Sequence, residues 1–217
     1  MRIPFLIPAL MLAHPADAGA WLRDEGTVFL SFSSTIDALG RNTGSVYAEY
    51  GLRPKLTLGA KVDVDMTAGQ IGNGGALVFA RKPIATGKHD FKLAYDFGIG
   101  ATIEEDPVAL LHVGLNYGRG YTAWDRAGWV SIDSALQWAE SDAAPTAKLD
   151  GTIGLTLNDH FKVMFQVFYS NTDSDATTTL APSLIWTPNT DTNRTYQIGV
   201  ESKDGVLGVK LGLWRSF

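Results

Sequence analysis

The stretch "TAKLDGTIGLTL", residues 146–157, alternates without a break. Ala147, Leu149, Gly151, Ile153, Leu155 and Leu157 fall on one side of an extended chain. Thr146, Lys148, Asp150, Thr152, Gly154 and Thr156 fall on the other. Successive side chains of an extended strand point to opposite faces. A period of two kept this long therefore reads as a strand with one apolar and one polar face.

The same pattern recurs on both sides of that segment. In "KLTLGAKVDVDM" (55–66), Leu56, Leu58, Ala60, Val62, Val64 and Met66 oppose Thr57, Gly59, Lys61, Asp63 and Asp65. In "DFKLAYDFGIGAT" (90–102), Phe91, Leu93, Tyr95, Phe97 and Ile99 oppose Lys92, Ala94, Asp96, Gly98 and Gly100. In all, the chain predicts about twelve strands, near 27–35, 43–52, 55–66, 75–83, 90–102, 108–117, 128–140, 145–157, 161–171, 177–187, 194–202 and 205–217. Short turn-rich segments separate them, and "GRGYTAWDRAG" (118–128) is the longest connection expected. The fold class is all-β.

Composition narrows the function. Charged residues are 19% of the 217, below the roughly 25% typical of soluble domains, and the net charge is −5. No basic stripe is present, so no nucleic-acid partner is expected. With no cysteine, and with His14, His89, His112 and His160 at no ligand spacing, neither a metal site nor a cofactor is expected. The N-terminal "MRIPFLIPALMLAHPADAGAW" has the form of an export signal: Arg2, an apolar stretch from Ile3 to Ala13, and Ala16-Asp17-Ala18 as a small-x-small cleavage site. Cleavage after Ala18 divides the chain into a signal over 1–18 and a β-domain over 19–217, with Ala18-Gly19-Ala20 as a second cleavage site. The apolar stretch falls short of the ~20 residues of a spanning helix, and Pro4 and Pro8 interrupt it.

Strands of about ten residues suit a tilted crossing of a bilayer, whereas sandwich strands are more often five or six. Aromatic residues gather at one set of strand ends, Tyr50, Phe91, Tyr117, Phe161, Trp186, Tyr196 and Phe217, with Trp138 and Tyr169 at the other. Aromatic girdles of this kind are expected where a barrel meets a lipid interface. The final strand, "GVLGVKLGLWRSF" (205–217), keeps its apolar face through Leu207, Val209, Leu211 and Leu213 to the terminal Phe217. Its ending resembles the C-terminal assembly signal of Gram-negative outer-membrane β-barrels, matched at Lys210, Gly212 and Phe217 and departed from at Arg215. "VYAEYGLRPKLTLG", "YGRG", "LAPSLIW" and "GLWRSF" are similar to a family of small exported barrels with no assigned function. The resemblance implies a transmembrane antiparallel up-and-down barrel in the outer membrane, with the chain ends at the periplasm. Its partners would be outer-membrane lipids and the barrel-assembly machinery.

With that orientation the lumen is expected to be lined by Glu49, Lys61, Asp63, Asp65, Lys92, Asp96, His112, Asp133, Lys148, Asp150, Lys162, Glu201 and Lys210. These are seven carboxylates, five lysines and one histidine, with a weak preference for cations. Twelve strands sit between the filled eight-stranded barrel and the open porins. The primary expectation is a passive small-solute channel or transporter. One alternative is a hydrolase acting on lipid or peptide, for which His112, Asp133 and Ser131 would supply base, orienter and nucleophile if β-pairing brought them together. The other is a structural barrel without transport.

Overall fold

The computed structural model describes residues 20–67, 70–84, 90–140, 144–172, 175–189 and 193–217. The expected export signal over 1–18, with His14, and His89 as well, lie outside the described residues. Twelve antiparallel strands follow one another: β1 (Val28–Asp37), β2 (Arg41–Arg53), β3 (Leu56–Thr67), β4 (Gln70–Pro83), β5 (Phe91–Ile103) and β6 (Ala109–Ala123), then β7 (Arg126–Ala139), β8 (Thr146–Thr156), β9 (Phe161–Thr172), β10 (Asp175–Trp186), β11 (Arg194–Lys203) and β12 (Val206–Ser216). Each pairs with the next, and β12 returns to β1, closing the sheet. Connections between strands span seven residues at most.

The expected strands match in number and order, with two corrections: β4 begins at Gln70 rather than near residue 75, and the 118–128 connection is different. Residues 118–128 are not a long loop. β6 and β7 continue to Ala123 and from Arg126, joined by the two-residue turn Trp124–Asp125. Both turn residues have positive φ, 51° and 58°, as a type I′ hairpin requires. Asn-Gly is the usual pair there, so Trp-Asp gave no signal. Gly118 and Gly120, which suggested a loop, are inward positions of β6 with register partners Ser131 and Trp129.

Closure explains why the outer face can be apolar. In hydrocarbon every backbone amide must be paired within the protein, and only a sheet without edges achieves that. Ile99 is 59% exposed and Leu211 52% exposed on that outer face, alongside Phe97, Leu115, Ile132 and Ile153. A surface this apolar on every strand fits lipid rather than water. At the rim holding both chain ends, Phe91 stacks on Tyr117 at 6.0 Å and Trp186 lies 5.6 Å from Tyr196. Trp124, in the β6–β7 turn, adds a further ring to that rim. Phe217 points outward, its N–H donating to Val28 O at 3.0 Å and its O accepting from Val28 N at 3.2 Å. The guanidinium of Arg215, the departure from the terminal pattern, lies 4.3 Å over the Phe217 ring.

Candidate functional site

The barrel interior is the candidate site, and its two halves differ. Toward the rim of the chain ends it is packed. Trp129, Met164 and Ile185 are buried there on inward positions of β7, β9 and β10, with Trp214 of β12 packed against them. Inward glycines make room for these side chains. A Cβ on Gly154 would lie 2.1 Å from the Trp129 ring, and one on Gly59 would lie 2.1 Å from the ring of Phe79. Neither position tolerates a side chain without moving a large neighbour.

On the facing wall, β2 to β6 carry a buried ion network. Arg81 donates from Nη1 to Glu49 Oε1 at 2.6 Å and from Nε to Asp96 Oδ2 at 3.0 Å. Asp96 also accepts from Asn116 Nδ2 at 2.8 Å, and its Oδ1 lies 2.7 Å from His112 Nε2. Glu49 is engaged in turn by Tyr47 Oη and by Arg23 Nε, the latter at 2.6 Å. Burying such charges is tolerable only because each carboxylate has several donors. Arg81 and Arg23 were not among the expected lumen residues. They bring the cations to seven against seven carboxylates, so the expected weak cation preference loses its basis.

Toward the opposite rim the interior opens. Lys61 bridges Asp63 at 3.0 Å, each side chain 43% exposed. Lys210 bridges Glu201 at 3.0 Å, its ammonium 5.1 Å over the Phe168 ring. Thr43 donates to Asp65 at 2.8 Å. Lys148 and Asp150 face inward on β8, within electrostatic reach of Lys61 across the lumen. Asp133 pairs in register with Asp150, and its Oδ1 has no hydrogen-bond partner. Lys162 lies near Trp129, its ammonium 5.8 Å from the ring, and Lys92 is exposed at the rim of the chain ends.

The structure does not assemble the His112–Asp133–Ser131 triad. The tight β6–β7 turn fixes His112 opposite Gln137, Asn116 opposite Asp133 and Gly118 opposite Ser131. Asp133 is therefore displaced four residues along the strand from the partner of His112. The imidazole is held instead by Asp96 at Nε2 and by Gln137 Nε2, 3.3 Å from Nδ1. Ser131 Oγ has no partner, so no base activates it.

The interior also holds a segment that strand periodicity does not reach. Residues ahead of β1 turn into the lumen, where Trp21, like Trp214, packs against the Trp129–Met164–Ile185 cluster. The backbone N–H of Arg23 donates to Thr57 Oγ1 at 2.9 Å.

No protein-family model matches the chain, and no curated protein matches it in sequence. Solved structures do resemble it. A KdgM porin superposes with a TM-score of 0.67 at 13% identity, covering 87% of this chain and 99% of that one. A NanC porin gives 0.57 at 10% identity, covering 86% and 98%. An outer membrane channel from Pseudomonas putida F1 gives 0.51 at 12% identity, covering 94% and 99%. At such identities the likeness is one of architecture, and the architecture is that of the small outer-membrane β-barrel porins.

Proposed function

We propose that the protein is a passive channel for small polar solutes in the outer membrane of a Gram-negative envelope. The observation that carries this reading is the pair Lys61–Asp63, charged groups on the inner face of a lipid-facing barrel with side chains still 43% exposed. Charges kept wet inside such a wall suit a path for hydrated solutes better than a sealed core does. The likeness to porin barrels supports it. Balanced lumen cations and carboxylates favour small uncharged or zwitterionic solutes over strongly anionic or cationic ones. Connections of seven residues or fewer leave no strand-to-strand loop long enough to reach deep into the pore. On this reading the protein is exported, cleaved after Ala18, and inserted by the barrel-assembly machinery, which reads Lys210, Gly212 and Phe217.

Reconstitution tests the channel. Purified protein in planar bilayers should give small stepwise currents, and liposomes carrying it should swell in isotonic solutions of small sugars. A silent bilayer over a wide voltage range, together with no swelling, would leave a structural barrel instead.

A further inference from the structure

We propose that the segment Trp21–Glu25 is a plug, docked inside the barrel at the rim of the chain ends, and that the channel conducts freely only when this segment leaves. The inference rests on the channel reading. The segment spans the lumen. At one side Trp21 lies over Gly118 of β6, so closely that a Cβ there would sit 2.5 Å from its ring. That ring joins the apolar cluster of β7, β9, β10 and β12. At the other side Arg23 bridges Glu49 of β2, with its guanidinium 4.3 Å over Phe29 and its amide bonded to Thr57 of β3. A chain tied to β2 and β3 by one residue, and to β6 and the far wall by another, crosses the passage.

Its attachment is of a kind that can release. Backbone bonding to the sheet is seen just past the segment, at the rim, where Gly26 N donates to Gly51 O at 2.8 Å and Gly51 N donates to Thr27 O at 3.0 Å, while Thr27 N donates back to Asp24 O at 3.0 Å. Gly26 has φ +82°, a conformation that favours glycine, and marks where the chain turns from the rim into the lumen, with the Asp24 carbonyl passing so close over Gly51 that a Cβ there would sit 1.9 Å from it. One polar group beneath the segment also favours its departure. Ser131, directly across from Gly118, is 1% exposed, and its hydroxyl has no partner. A buried hydroxyl without a hydrogen bond is a cost that lumen water would remove once the plug is gone.

The test uses the full mature barrel. Single-channel currents are compared for the natural chain, the double variant Trp21→Ala/Arg23→Ala, and Gly118→Leu, which fills the seat of Trp21 but leaves every residue of the segment. Both variants should conduct several-fold more than the natural chain. Equal conductance in all three overturns the proposal, and Gly118→Leu decides it alone if the double variant fails to fold. Docking is read separately with Ala20→Cys, since the chain has no cysteine of its own. An aqueous maleimide should label this position slowly, and several-fold faster once Gly118→Leu is added. Fast labelling in both overturns the docking. A labelling difference with no current from any variant keeps the docking and removes the channel reading instead.

Discussion

Replacing Arg81 by Met tests the buried ion network directly. The guanidinium is 6% exposed and serves two carboxylates, Glu49 and Asp96, themselves 1% and 4% exposed. Removing one partner of a buried pair generally costs about 3–5 kcal/mol, because the other charge is left without compensation. Here neither carboxylate is stranded entirely. Glu49 keeps Arg23 and Tyr47, and Asp96 keeps His112 and Asn116. The cost should therefore fall near the lower end, about 3 kcal/mol. Met preserves the apolar stem beside Phe79, whose ring centre lies 4.9 Å from the Arg81 guanidinium carbon, so lost packing contributes little. Urea unfolding from lipid vesicles, followed by tryptophan fluorescence, measures the change. Adding Asp96→Asn to Arg81→Met should recover much of the loss, since Glu49 keeps its pairing with Arg23 and neither carboxylate of the network is then left without a cation. A loss below about 1 kcal/mol for the single variant, or a double variant as unstable as the single one, would refute the reasoning.

Other perturbations probe other parts of the wall. Ile153→Arg places a charge in hydrocarbon and should cost about 2–4 kcal/mol in the same unfolding assay, whereas Lys210→Gln, inside the lumen, should cost far less. Gly154→Val drives a side chain into the Trp129 ring and should destabilise by about 1–3 kcal/mol, with a shift in tryptophan emission. Deleting Phe217 should lower the amount of barrel recovered from outer membranes of expressing cells, read by immunoblot, while refolding in detergent is nearly unaffected.

Much of the wall was legible because the bilayer imposes a strict rule on it. A lipid-facing strand must be apolar at every second residue, and segments such as 146–157 obey without exception. The interior has no such rule. β4 carries Leu77, Phe79 and Arg81 inward and Ala76, Val78 and Ala80 outward, so alternation alone could not place Arg81. Trp129, Met164, Ile185 and Trp214 are apolar residues on the face expected to be polar, because that half of the lumen is filled. Register was beyond reach for a different reason. It depends on turn length, and the Trp124–Asp125 turn lacks the residues that usually announce one. With that turn known, Gln137 opposite His112 follows by counting. Arg23 and Trp21 precede the first strand, where no periodicity applies.

The β1–β12 seam has a kinetic consequence. Every other pair of neighbouring strands is a hairpin, formed by residues close in sequence, but the seam joins Phe29 to Ser216. Bringing such distant segments together is entropically unfavourable until the intervening chain has already folded. Folding should accordingly run through a curled, unclosed sheet whose two free edges, β1 and β12, are exposed to hydrocarbon with unmade backbone bonds. That species is short-lived in lipid and prone to association in water. Fluorophores placed across the seam, at Phe32 and Leu213, should therefore approach each other later than a pair across β6 and β7. Simultaneous approach of both pairs would mean that the barrel closes as its hairpins form.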